Sequence, residues 1–230
     1  MAKKKTARKA PKTKSLGHAE HSKAAESIGL PGKMDRPVKV TFIGAGSFFA
    51  AHIGKDLMGI PGNAGGTFAL VDVDEDRLAR MEKLINKTRE ALGAEQWEVV
   101  ADTDRRQVLP GSDYVINSIE VSGLECVRHD NDIPAKYGVD QCIGDTIGPG
   151  GLFKALRTGP VLLDILRDVR ELAPRAIFLN YTNPMAALCL AAFRSVPEVP
   201  LVGLCHSVQG TSHMIAKQAD LPYAEPDWEC

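Results

Sequence analysis

The chain has 230 residues, 44% of them hydrophobic and 25% charged, enough to bury one sizeable core and too short for two full domains. Of its 28 basic and 29 acidic residues, 10 and 3 fall in residues 1–36, which leaves 18 and 26 for the rest; that acidic remainder excludes nucleic acid as the main partner. No apolar stretch reaches the length of a membrane span or forms a secretory leader, and five irregularly spaced cysteines exclude a disulfide framework, so reduced thiols in a cytoplasmic protein are expected.

Residues 1–36 are rich in Lys, Ala, Ser and Gly without hydrophobic periodicity, and read as a disordered basic tail. After Arg36-Pro37 the pattern changes. Val38 to Ile43 is a β-branched run ending at Gly44, which predicts a buried strand. A helix is expected from Ser47 to Met58, with Ile53 and Leu57 four apart on its inner face. Thr67 to Val71 reads as the second strand, closed by Asp72. Asp74 to Leu92 reads as a long helix with Asp74 as its N-cap and Gly93 as its stop. Glu98 to Val100 and Tyr114 to Ile116 are the third and fourth predicted strands. Arg128 to Tyr137 is expected to be helical apart from a break at Pro134. The stretch Gly144 to Gly151 opens a helical region that Pro160 should divide in two, since proline has no amide hydrogen and clashes with the preceding turn. A fifth strand at Ala176 to Leu179, a helix at Pro184 to Phe193 and a sixth strand at Leu201 to Leu204 complete the pattern. Strands and helices alternating at this spacing predict an α/β fold, a doubly wound parallel sheet of Rossmann-like form over residues 37–204.

Gly44-Ala45-Gly46-Ser47 lies between the first strand and the first helix. Glycine there permits a tight turn and lets the backbone approach a pyrophosphate, whose charge meets the helix N-terminus. Phe49 occupies the place of the third fingerprint glycine, so the motif alone is weak. Its context is stronger. Asp72 ends the second strand, 26 residues after Gly46, where a carboxylate accepts from ribose hydroxyls and disfavours a 2′-phosphate. NAD is therefore the expected cofactor, bound by Gly44, Gly46, Ser47 and Asp72. The alternative is that the glycines serve a turn and Asp72 caps the next segment.

Three motifs are not explained by a cofactor alone: Gly144-Asp145-Thr146-Ile147-Gly148-Pro149-Gly150-Gly151, Asn180-Tyr181-Thr182-Asn183-Pro184-Met185, and Gly203-Leu204-Cys205-His206-Ser207-Val208-Gln209-Gly210. The last two follow predicted strands, at the carboxyl edge where open α/β sheets bind ligands. Together these segments resemble family-four glycoside hydrolases, closest to the α-galactosidase branch, from about Lys39 to Cys230. The resemblance implies hydrolysis of O-glycosyl bonds without the usual carboxylate pair. NAD oxidises the sugar at C3, a base removes the acidified C2 proton, the glycosidic oxygen leaves, water adds, and NADH reduces C3 again. A divalent metal, usually Mn²⁺, stabilises the developing charge as a Lewis acid.

The resemblance also implies roles for single residues. Cys205 matches a metal-ligating cysteine, which by itself would read as a small buried hydrophobe. His206 stands where other branches carry the acid that protonates the leaving group, and either does that work or orients metal or sugar. Asn183 matches a sugar-contacting asparagine, or else is a turn residue before Pro184. Arg128 falls near a substrate-binding arginine, with surface solvation as the alternative. Asp145 matches a carboxylate that tunes the base, or caps the loop before Gly148. A second metal ligand, the tyrosine base and the sugar-binding domain lie beyond the position of Cys230 in that family. Residues 205–230 are therefore expected to begin a second domain that is largely missing, and the chain to be an incomplete fragment, homo-oligomeric when full length. Two other readings are a 2-hydroxy acid dehydrogenase of the lactate or malate type, for which no spaced Asp, His and Arg set is evident, and a non-catalytic NAD-binding module.

Overall fold

The computed structural model describes residues 36–205 and 207–222. The expected tail up to residue 35, His206 and Cys230 lie outside the described residues. Six strands form the sheet: β1 Val38–Ile43, β2 Gly66–Val71, β3 Trp97–Asp102, β4 Tyr114–Asn117, β5 Ile177–Asn180 and β6 Leu201–Gly203. All pairings are parallel, in the order β3-β2-β1-β4-β5-β6, so the predicted doubly wound α/β sheet is the observed one. The helices are α1 Phe48–Met58, α2 Glu75–Ala91, α3 Arg105–Val108, α4 Gly123–Ala135, α5 Gly148–Leu172, α6 Met185–Ser195 and α7 Ser207–Gln218.

Both faces of the sheet are covered, because successive strand residues point to opposite sides. Phe68 and Leu70 of β2 join Val40, Phe42, Leu78, Met81 and Ile85 under α1 and α2. Their neighbours Ala69 and Val71 join Val115, Phe178, Leu162, Leu166 and Leu188 under α5 and α6. The order reverses between β1 and β4, and the crevice at their carboxyl ends is where such a fold receives a ligand.

Several local expectations are corrected. The innermost line of α1 is Ala50, Gly54 and Met58, with Ile53 and Leu57 packed only partly, because a small residue at Gly54 lets the helix settle onto Phe68. Helix α4 starts at Gly123 rather than Arg128 and runs past Pro134 to Ala135. Helix α5 is continuous for 25 residues with Pro160 inside it, so proline does not divide it. Both Pro160 and Leu156, whose carbonyl the proline leaves without its helical donor, lie on the exposed side of the helix, where a missing helical bond costs less than in the core. The α2 expectation holds at both ends: the Asp74 carboxylate accepts from the Arg77 amide, and Gly93 follows with a φ of 62°.

Candidate active site

The β1–α1 loop is built around two close approaches. Gly44 has a φ of +87°, and a Cβ there would stand 2.3 Å from the Ser118 carbonyl oxygen just beyond β4. A Cβ on Gly46 would stand 2.7 Å from Asp72 Oδ2 and 2.9 Å from Arg77 Cβ. The Gly46 amide donates to Asp72 Oδ2 at 2.7 Å, Asp72 Oδ1 accepts from the Asp74 amide at 3.0 Å, and Arg77 Nε donates to the Gly46 carbonyl at 3.2 Å. Asp72 thus braces the loop with both carboxylate oxygens, each of which keeps a further lone pair.

Ser47 is the N-cap of α1 but makes no capping bond, and its Oγ is buried without a partner. A buried hydroxyl left in this way costs about 1–3 kcal/mol. Its place at a helix N-terminus beside two glycines fits an anionic group such as a pyrophosphate. Phe49 uses the space its ring denies to a third glycine to pack edge-on against Tyr181 at 4.9 Å and Phe42 at 6.0 Å. The cofactor loop thereby leans on the segment after β5.

That segment is fixed by a buried amide network. Asn117 and Asn180, opposite each other at the ends of β4 and β5, share a 3.0 Å bond, and Asn117 Nδ2 also donates to Thr182 Oγ1 at 3.1 Å. Thr182 Oγ1 accepts in turn from the Ile119 amide at 3.0 Å. Asn183 comes next, before a cis Asn183–Pro184 peptide. Its Nδ2 donates to Asp145 Oδ2 at 3.1 Å. Asp145 also accepts from Thr146 Oγ1 but from no backbone amide of α5; the Gly150 amide is served by Gln141 Oε1 at 3.0 Å, so the capping alternative for Asp145 is not what the fold uses.

Cys205 follows β6. Its Sγ lies 2.8 Å from Ser207 Oγ and accepts from the Ser207 amide at 3.4 Å, and these bonds hold the thiol below its ordinary pKa while burial and the Asp145 charge push the other way. Asp145, Asn183 and Cys205 are therefore gathered at one edge, and the β1–α1 loop opens at the same edge. Arg128 is not gathered with them: it is exposed on α4 and pairs with Asp132 one turn on, at 3.3 Å. Among the described residues no group of three His, Cys, Asp or Glu side chains could hold a metal ion.

Two charged residues at this edge escape the motifs. Lys154 of α5 is 7% exposed, and its Nζ lies 2.8 Å from Glu120 Oε2 and 3.8 Å from Asp145 Oδ2. A signal for Lys154 exists in the sequence, since it falls on the four-residue stripe Gly150, Lys154, Thr158, Leu162 that α5 turns inward. A concavity of about 560 Å³ lined by Arg36, Lys39, Asp113 and Arg175 lies at the opposite, amino edge and contains none of these side chains.

Sheet order, glycine loop and acidic brace define a doubly wound domain of the dinucleotide-binding type. The sequence profile described as Family 4 glycosyl hydrolase matches residues 39–221, and the chain belongs to that family. It is 42% identical over 194 residues to an α-galactosidase of Rhizobium meliloti (strain 1021), covering 84% of this chain and 39% of that protein. To an α-galactosidase of Bacillus subtilis (strain 168) it is 43% identical over 173 residues, 74% of this chain and 40% of that protein. The chain thus spans about two fifths of the curated relatives it matches. A 6-phospho-α-glucosidase from gut microorganisms, solved in complex with NAD and Mn²⁺, superposes with a TM-score of 0.71 at 20% identity, over 81% of this chain and 42% of that one. That likeness is one of fold. Among the described residues no helix is long and apolar enough to cross a membrane.

Proposed function

We propose that this chain is the NAD-binding portion of a glycoside hydrolase acting on α-galactoside or α-glucoside bonds by oxidation, elimination, addition and reduction. The observation that carries the reading is the shared edge: the unpartnered Ser47 hydroxyl in its glycine cradle opens beside the strand ends that bear Asn183, Asp145 and Cys205. Residues 37–204 make the cofactor portion and residues 205–230 begin the portion that completes the site. Gly44, Gly46 and Ser47 hold the pyrophosphate, and Asp72 offers its remaining lone pairs to the ribose hydroxyls. When bound there, NAD takes hydride from the sugar and later returns it. Asn183 holds a sugar hydroxyl, Asp145 orients Asn183, Cys205 is a metal ligand, and His206 protonates the leaving group or orients metal or sugar. The family's manganese does not find its full donor set among the described residues.

Titration calorimetry tests the cofactor half. NAD should bind the chain more tightly than NADP, and Asp72→Ala should narrow the gap, because the carboxylate no longer repels a 2′-phosphate. Equal affinities in the wild-type chain would overturn the role of Asp72. Failure of both nucleotides to bind would overturn the reading as a whole.

A further inference from the structure

Lys154 has no part in the reading above. Its side chain is 8% exposed, and a buried ammonium is tolerated only where carboxylates and hydrogen bonds compensate it. Two carboxylates converge on it: Glu120 at 2.8 Å from its own loop after β4, and Asp145 at 3.8 Å from the loop before α5. The Asp145 oxygen that faces Lys154 is the same Oδ2 that accepts from Asn183 Nδ2. Among the described residues this is the hydrogen bond Asn183 makes. An asparagine side chain has two faces of opposite polarity, an NH₂ that only donates and a carbonyl that only accepts. One N–H is committed to the carboxylate and the second remains, while the carbonyl, without a partner among the described residues, is the acceptor left for a ligand.

We infer that Lys154 is a positioning residue for Asn183: it holds Asp145 where that carboxylate captures an Asn183 amide N–H, so that Asn183 meets a ligand with Oδ1 and accepts a hydrogen bond from a sugar hydroxyl. The ligand half rests on the proposed sugar contact of Asn183; the relay Lys154–Asp145–Asn183 does not. The relay explains why a lysine occupies the inward stripe of α5 between Gly150 and Thr158, where an apolar residue would otherwise pack. It also sets the order of polarity along the edge. A cation faces an anion, the anion faces a donor, and an acceptor faces the solvent-side ligand.

The test reads hydrogen exchange of side-chain amides in the ¹⁵N-labelled chain, with the Asn183 pair identified by its loss in Asn183→Ala. Asn86, which donates to the Glu82 carbonyl, and Asn131, which donates to the Val127 carbonyl, are internal references. Lys154→Met should speed exchange at Asn183 roughly tenfold, the scale of one charge-assisted hydrogen bond, and leave Asn86 and Asn131 unchanged. Lys154→Arg should restore the slow exchange, and Asp145→Asn should release the amide as Lys154→Met does. Unchanged exchange at Asn183, or equal acceleration of all three amides, would overturn the relay, the second because it reports a loosened fold. Should Lys154→Met not fold, Glu120→Gln carries the test. It hands the ammonium wholly to Asp145, so exchange at Asn183 must slow, and unchanged or faster exchange overturns the relay. Methyl α-galactoside added to the wild-type chain is the separate arm. A shift of the Asn183 side-chain carbonyl carbon supports its acceptor role. No shift removes the sugar contact and the Oδ1 assignment with it, while the exchange data still decide the relay.

Discussion

Gly44 and Gly46 look alike in the sequence but are required for different reasons. At Gly44 the backbone itself is left-handed, and the atom a methyl would strike is the Ser118 carbonyl at 2.3 Å, backbone tied to the end of β1 by the bond from the Ser118 amide to the Ile43 carbonyl. Gly44→Ala is therefore expected to lose about 1–3 kcal/mol from conformation alone, with the clash added to it. At Gly46 the backbone is not left-handed, and of the two obstructions the Asp72 carboxylate can swing away, while Arg77 Cβ at 2.9 Å is fixed to α2 and makes the loop give by a few tenths of an ångström. Gly46→Ala should then stay closer to wild-type stability yet lose NAD affinity, because the displaced Asp72 gives up the Gly46 amide it now holds at 2.7 Å. Urea unfolding and calorimetry on both variants check this. Equal stability losses would mean that the two glycines are constrained alike.

Among the elements, α5 matters most to the site because the loop that carries Asp145 is tied to its first turn. Gln141 spans that loop: its Nε2 donates to the Asp130 carbonyl in α4 at 2.8 Å, and its Oε1 accepts from the Gly150 amide at 3.0 Å. A second tie lies about two turns further on, where Arg157 of α5 pairs with Asp130 at 2.6 Å. Gln141→Ala leaves a part-buried donor and a part-buried acceptor without partners, a loss of roughly 1–3 kcal/mol for each group that water cannot reach. Amide exchange in the first turn of α5 should quicken, whereas the far end, held by Asp168 between Arg105 and Arg106, should not respond. A uniform change along α5 would mean that Gln141 contributes only to global stability.

For the whole molecule, the relevant comparison is with relatives of which it matches about two fifths. Elimination from a sugar needs hydride removal, proton removal and leaving-group protonation on one immobilised ring. The described residues offer a cofactor cradle and one metal-ligand candidate, and no three-donor metal cluster. In the proposed reading the base lies outside these residues, and the loss of a positioned base alone costs on the order of a hundredfold to ten-thousandfold. The 230-residue chain is accordingly expected to turn over no nitrophenyl α-galactoside in the presence of NAD, Mn²⁺ and a reductant. Fused to the part of the Rhizobium meliloti α-galactosidase that lies beyond its matching segment, it should gain turnover that requires NAD. Activity of the chain alone within tenfold of that enzyme would show that these residues already hold a complete site.

What was legible in the sequence is what local chemistry encodes. The run from Thr67 to Val71 closed by Asp72, the Asp74 cap and the Gly93 stop placed β2 and α2 within a residue, because each depends on neighbours in the chain. The motifs around Gly44, Asn183 and Cys205 were visible for the same reason. Whether a proline breaks a helix was not legible: Pro160 was expected to divide α5, and it does not, since Pro160 and Leu156 lie on the exposed side while the flanking turns are held by the core. Nor were the partners of the site residues legible. Glu120 and Asn183 are distant in sequence, yet they meet Lys154 and Asp145 because parallel strands β4 and β5 deliver their carboxyl ends side by side and α5 crosses behind them. The residue types of the site were written in the chain; which oxygen faces which nitrogen was decided only when long-range pairing brought those ends together.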